Sequence, residues 1–232
     1  MDIPQEILNK LIVREDYLNW IKEQTAIMVY IDLTNMFYWQ DVLGWKFRIE
    51  DVVNQLKSFQ NIKEIKIYYG RNERNEEEKI KSYVLEKRMR KVGAIPRTKK
   101  VKFIRKTIDE ALLFKKNTRN LFNSEINDKM LGLIGEIKKI KSEVYEPKCN
   151  FDVEIAMDMM DDAEKVSAVM LFSGDSDLAE PLERLRVKGK KICIIGVRTM
   201  VAGELHRIED KYFNFGQFYN GKRHYTSENP AI

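Results

Sequence analysis

The sequence predicts an α/β fold, a mostly parallel sheet covered by helices. Three largely apolar runs, AIMVYI at 26–31, VSAVMLF at 166–172 broken only by Ser167, and KICII at 191–195 led by Lys191, are rich in β-branched or aromatic residues and suit strands buried on both faces. Segments with the apolar spacing of helices alternate with them, which is the pattern of a doubly wound sheet. Two of the runs also end in acids, Asp32 after the first and Asp175 and Asp177 after the second. Ligand crevices of open α/β sheets lie at those carboxyl ends, so the acids fall where chemistry is usually done.

In chain order, residues 1–24 carry apolar positions at Ile3, Ile7, Leu8, Leu11, Ile12, Leu18 and Ile21, spaced for one or two amphipathic helices that extend the domain. After the strand 26–31, Asn35 stands one helical turn beyond Asp32, placed to orient its carboxylate or a bound water. Ile49–Phe59 predicts a helix with Ile49, Val52, Val53 and Leu56 inward, and Glu64–Gly70 the next strand. Glu73–Lys91 predicts a charged helix with Ile80, Tyr83, Val84 and Met89 toward the protein. Ala94–Ile104, where lysines alternate with Val101 and Phe103, has the pattern of an edge strand with one buried and one cationic face.

Thr107–Tyr145 holds about 40 residues of helical pattern, too long for an ordinary connection, and reads as an inserted helical hairpin or subdomain that Pro147 closes. The next helix starts near Asp152 with Val153, Ala156, Met157 and Met160 on its apolar side; Asp158 lies well round it from Asp152 and is not expected in the same site. After the strand 166–172, Gly174 permits a sharp turn, and Ser176 or Asp177 can cap a helix whose apolar face is Leu178, Leu182 and Leu185. The strand 191–195, a short helix through Leu205 and a last strand at 211–216 complete a domain taken as 25–219, and 220–232 is a polar tail.

Hydrophobic residues make up 44% of the 232 and aromatics 10%, enough for a substantial core. No run approaches the roughly 20 apolar residues of a membrane span, so no membrane partner is expected. The charged N-terminus lacks the apolar centre of a signal peptide. Cys149 and Cys193, in no metal-ligand spacing, fit a reducing, cytoplasmic setting. Self-association is left open. No Gly-x-Gly-x-x-Gly follows a strand and no Gly-x-x-x-x-Gly-Lys-Ser/Thr loop is present, so dinucleotide and P-loop binding lack their backbone cradle. Only His206 and His224 occur, without a Gly-x-Ser-x-Gly turn, which argues against a Ser/His/Asp hydrolase and against zinc.

The net charge of +5 conceals a regional imbalance. Ten Lys or Arg residues and no acid lie between Lys87 and Lys106, and without them the chain carries −5. Arg88, Arg90, Lys91, Arg97, Lys99, Lys100 and Lys102 are the candidate contacts to a phosphate backbone. A solvated helix face followed by a lysine-guarded edge strand gives the same pattern. The acids carry a similar pair of readings. Each of Asp32, Asp152, Asp175 and Asp177 can be a helix cap. Capping does not predict that independent acids should gather at strand ends beside a basic stretch. Clustered acids repel one another, a divalent cation offsets that cost, and ligation by oxygen alone selects Mg²⁺ or Mn²⁺. Such an ion lowers the pKa of a bound water and stabilises a leaving oxygen, which suits phosphodiester hydrolysis.

Three stretches, VYIDLTN, KCNFDVEIAMDMM and LFSGDSDLAEPLERLRVKGKKICIIG, resemble the three motifs of the NYN domain, the LabA-like branch of the PIN-like nucleases. The resemblance spans about Ala26–Gly216, interrupted by the 107–145 insertion. It implies a PIN-like three-layer α/β/α fold and a metal-dependent nuclease, with RNA rather than DNA as partner. Carried over by motif, it implies Asp32, Asp152, Asp175 and Asp177 as metal-binding acids, with Asn35 among the catalytic residues. It further implies Ser173 and Ser176 in support and Lys148 approaching substrate phosphate. Leu33-Thr34 stands where small or polar residues often follow the first Asp. The alternative is a non-catalytic RNA-binding or regulatory module that retains the acidic pocket.

Overall fold

The computed structural model describes residues 15–107, 143–218 and 223–224. Their elements in chain order are α1 (Glu15–Glu23), β1 (Ile27–Asp32), α2 (Leu33–Leu43), β2 (Trp45–Lys46), α3 (Ile49–Lys57), β3 (Ile62–Arg71), α4 (Glu76–Lys91), β4 (Ile95–Lys100), β5 (Lys102–Thr107), β6 (Glu143–Lys148), α5 (Asp152–Asp162), β7 (Ala168–Phe172), α6 (Ala179–Val187), β8 (Lys191–Gly196), α7 (Gly203–Ile208), β9 (Lys211–Asn214), α8 (Phe215–Phe218) and β10 (Arg223–His224). Two compact units divide the chain: residues 1–99 with 150–232, and Lys100–Cys149.

The central sheet runs in the order β4-β3-β1-β7-β8-β9, and the ladders from β3 to β9 are parallel. From β1 the chain steps outward to β3 and β4, whereas from β7 it steps the other way to β8 and β9. Right-handed crossovers therefore put α2, α3 and α4 on one face and α5, α6 and α7 on the other, the three layers expected from the sequence. The strand order reverses between β1 and β7, and the mouth of that pair is the switch point of the sheet. All five residues of β7 are buried, as are Ile27–Ile31 of β1. Tyr17, Trp20 and Ile21 tie α1 into the same core as Trp39, Trp45 and Phe215. No helix among the described residues is long and apolar enough to cross a membrane.

Two helices depart from the inward face their apolar spacing predicts, although Met89 of α4 is buried as expected. α5 buries Ile155, Met159 and Asp162 and leaves Val153 and Met157 exposed. α4 buries Ser82 and Met89 while Ile80, Tyr83 and Val84 are exposed. Polar side chains go inward in both because the sheet supplies partners. The Ser82 hydroxyl accepts the Asn72 N–H at 3.0 Å and lies 3.4 Å from the Tyr69 hydroxyl, while the acids of α5 meet a lysine buried in β3.

The expected edge strand at 94–104 is two strands. The chain breaks at Val101, β4 keeps the sheet edge, and β5 pairs antiparallel with β6. β6 also claims Glu143–Tyr145 from the expected helical insertion. The rest of that insertion, 108–142, lies outside the described residues, as do 1–14 of the N-terminal extension and most of the 220–232 tail. Within the tail, Arg223 and His224 pair with β2. The final strand stops at Asn214 and continues as α8.

Candidate metal centre

β1 delivers Asp32 to the switch point, where it caps α2: its Oδ1 accepts the Asn35 N–H at 3.0 Å. Asn35 in turn reaches the neighbouring motif. Its Oδ1 accepts Trp39 Nε1–H at 2.9 Å and the Gly174 N–H at 3.3 Å, so one amide joins the mouth of β1 to the mouth of β7. Trp39 is fully buried, with its ring 5.2 Å from that of Phe215.

β7 runs into Ser173–Asp177. The buried Ser173 accepts the Asp175 N–H on its Oγ at 3.2 Å, and Asp175 Oδ1 accepts the Asp177 N–H at 3.0 Å. The cap of the 3₁₀ turn Ser176–Leu178 is thus Asp175, in place of the expected Ser176 or Asp177. Ser176 is exposed. Gly174 is needed for closeness and not for a left-handed turn, since its φ is not positive. A Cβ there would sit 1.9 Å from the Met200 carbonyl oxygen. Capping therefore accounts for Asp32 and Asp175. It does not account for Asp177, whose carboxylate makes no hydrogen bond or ion pair among the described residues.

Asp152 opens α5, its N–H held by Asn150 Oδ1 at 2.7 Å. Carboxylate oxygens of Asp152, Asp175 and Asp177 lie within 4.8 Å of one another. Asp32 is outside that tight triple but feels it. Burial pushes its pKa up to about 6 against the opposing Asn35 N–H, and the charges of Asp152 and Asp175 add to the rise. Burial likewise raises Asp152 against a hydrogen bond from Asn150, with Asp175 and Asp177 pushing the same way. Burial is the larger cause for both acids, and the repulsion among neighbouring carboxylates adds negative charge that a cation would offset. An all-oxygen donor set with that surplus fits a hard divalent cation.

The NYN domain model matches residues 26–117 and 115–216. The chain belongs to the NYN domain family. It is 25% identical over 192 residues to the low amplitude and bright protein LabA of Synechococcus elongatus, covering 82% of this chain and 83% of LabA. A crystal structure of a protein of unknown function from Vibrio parahaemolyticus matches with a TM-score of 0.56 at 17% identity, covering 84% of this chain and 96% of the other. That likeness shows the fold, and as an NYN domain the chain falls in the PIN-like nuclease superfamily with a PIN-like α/β/α core.

This NYN domain holds α5 in place by a polar network that the sequence reading missed. Lys66, in the middle of β3, forms a buried ion pair with Asp162 and lies 3.4 Å from Asp158. The Tyr30 hydroxyl donates to Asp162 Oδ2 at 2.9 Å, and the Tyr68 hydroxyl to Asp158 Oδ2 at 2.6 Å. Arg97 grips Asp158 with two hydrogen bonds, 2.9 and 2.8 Å, and Lys99 reaches Glu154 at 2.6 Å and the face of Phe151 at 4.6 Å. A signal was present: Lys66 and Tyr68 share one face of a strand, and Asp158 and Asp162 share one face of a helix. Of the predicted phosphate contacts, Arg97 and Lys99 are thus engaged with α5, while Arg88 pairs with Glu50 and Arg90 with Glu86. Lys91 is exposed on α4, and Lys100, Lys102 and Lys148 belong to the second unit.

Proposed function

We propose that this NYN domain is a Mg²⁺- or Mn²⁺-dependent nuclease that hydrolyses phosphodiester bonds, with RNA as its substrate. The observation that carries the reading is the convergence of Asp152, Asp175 and Asp177 within 4.8 Å at the switch point. The Asp177 carboxylate in particular has no hydrogen-bonding partner among the described residues to explain it. These three acids would hold the ion, with Asp32 as the fourth carboxylate of the site. Bound there, it supplies positive charge for a phosphate and a lowered pKa for water. The chain's own residues do the positioning. Asn35 clamps the Ser173–Asp177 loop to β1 through the Gly174 N–H, and Ser173 fixes the backbone of Asp175. Contacts to the polyanion fall to Lys102 of the basic stretch and to Lys148. RNA is named over DNA because the motifs resemble those of ribonucleases.

The test is incubation of the full chain with labelled single- and double-stranded RNA and DNA in Mg²⁺, Mn²⁺ or EDTA, beside Asp177→Asn and Asp175→Asn. Either asparagine keeps its oxygen, so the Asp175 cap survives the change. The expected result is metal-dependent RNA cleavage that both variants lose at unchanged melting temperature. Full activity in Asp177→Asn would remove the site assignment. Metal-independent RNA binding with no cleavage of any substrate would favour the non-catalytic module.

A further inference from the structure

α4 is a 16-residue helix that rests on the protein through Ser82 and Met89. On its outer side Ile80, Tyr83 and Val84 are 60%, 44% and 49% exposed, a contiguous apolar stripe facing away from the core. At 3.6 residues per turn, Glu76, Ile80, Tyr83, Val84, Lys87 and Lys91 share that side. The steps 76, 80, 83 and 87 alternate four and three, the spacing of a helix seam that packs against another helix. The stripe is ordered along the axis: an acid at the start, apolar residues in the middle, lysines at the end. Lys87 and Lys91 have no ion-pair partner among the described residues. Among the described residues Glu76 pairs with Lys79 alone, an exposed pair three residues on that contributes little.

We propose that this face is the interface of a homodimer in which α4 packs antiparallel against α4 of a second copy, about a two-fold axis near Tyr83 and Val84. In that register Tyr83 lies against the partner's Val84, and Ile80 is covered by the aliphatic stem of the partner's Lys87. Glu76 then meets the partner's Lys91 at each end of the seam. The arrangement is self-complementary, as a two-fold contact between identical surfaces requires. A parallel pairing would set Glu76 against Glu76 and Lys87 against Lys87. A phosphate backbone is a poor occupant, because Glu76, Glu77 and Glu78 fill the first turn of the same helix. Arg71, with its guanidinium 5.3 Å from the Tyr83 ring, steadies the aromatic at the centre. The proposal stands independently of whether the acidic cluster binds metal.

Sedimentation velocity and light scattering on the full chain over a wide concentration range provide the test. The expected wild-type species has twice the 27.5 kDa chain mass at the higher concentrations. Ile80→Glu and Val84→Glu, both at exposed positions, should give monomers with an unchanged circular dichroism spectrum. Glu76→Lys and Lys91→Glu should each weaken the dimer by about tenfold or more, and the combination E76K/K91E should restore it. A wild-type monomer at every concentration, or a dimer indifferent to Ile80→Glu and Val84→Glu, overturns the proposal. A dimer that those two variants break but E76K/K91E does not restore overturns the antiparallel register.

Discussion

Lys66→Met keeps most of the apolar bulk of a side chain that is only 5% exposed and deletes its charge. In the native protein that charge is shared between Asp162, whose side chain is 3% exposed, and Asp158 at 3.4 Å. Removing one member of a buried pair costs about 3–5 kcal/mol, because the other stays charged without water around it. Asp162 keeps two donors, Lys165 Nζ at 2.9 Å and the Tyr30 hydroxyl at 2.9 Å. The loss should therefore fall at the lower end, about 3 kcal/mol. At about 2–4 °C per kcal/mol for a chain of this size, the melting temperature drops by about 6–12 °C. Asp162→Asn retains an acceptor for Tyr30 and should cost a similar amount. The double variant Lys66→Met/Asp162→Asn has no stranded charge at this pair and should fall short of the summed losses by about 2 kcal/mol. Urea unfolding followed by circular dichroism, closed as a double-mutant cycle, gives the numbers. Single losses below about 1 kcal/mol, or strict additivity, would refute the tether. Acid adds a check. Burial pushes the Asp162 carboxyl up, but hydrogen bonds from Lys66, Lys165 and Tyr30 outweigh it and hold the pKa below the ordinary value. A depressed carboxyl contributes stability above its unfolded pKa and loses it as pH falls through the folded one. The gap between wild type and Lys66→Met should therefore narrow in acid.

Asp32 has the opposite linkage. With its pKa raised from 3.8 to about 6, the folded chain binds the proton more tightly than the unfolded one, so its contribution falls as pH rises from about 4 to about 6. Without metal, Asp32→Asn should be the more stable protein at neutral pH by up to about 3 kcal/mol; urea unfolding in chelator across that range, with parallel wild-type and variant profiles, would contradict this. Trp39→Phe deletes the Nε1–H that fixes Asn35 and nothing else polar. It should cost about 2–3 kcal/mol in stability, about 1 for the hydrogen bond and the rest for the smaller ring in a fully buried site, and lower cleavage without raising the substrate KM, whereas unchanged turnover would show that Asn35 is held well enough by Gly174 alone.

Strands, and the placing of Asp32 and Asp175 at their mouths, were legible because their signals are local. A strand buried on both faces must be apolar throughout, so Ile27–Ile31 and Ala168–Phe172 announce themselves, and whatever follows such a strand lies at the mouth of the sheet. The faces of α4 and α5 were not legible, since apolar spacing assumes that carboxylates and hydroxyls turn to water. Asp158 and Asp162 turn inward because Lys66 and Arg97, about 60 to 100 residues earlier, are waiting for them. The capping assignment failed by one or two residues for a related reason. Asp175 and Asp177 are equally good caps by type, and only the path of the chain past Met200 decides which backbone N–H lies beneath which carboxylate.

The basic stretch shows what that long-range pairing does to function. Ten cations between Lys87 and Lys106 look like one phosphate-binding field, yet Arg88, Arg90, Arg97, Lys99 and Lys106 each have an acid of the protein itself as partner. An arginine gripping Asp158 by two hydrogen bonds would have to abandon a largely buried carboxylate to reach a phosphate, so it releases no counterion on binding. For single-stranded RNA each engaged phosphate steepens the plot of log K against log salt by about 0.7. Lys102→Gln should therefore flatten that slope by about 0.7, and Arg97→Gln should leave it unchanged while lowering the melting temperature. Filter binding across a salt series measures the slope. If Arg97→Gln flattens it as much as Lys102→Gln does, the α5 tether is also part of the nucleic-acid surface, and the division between holding the fold and holding the substrate is wrong.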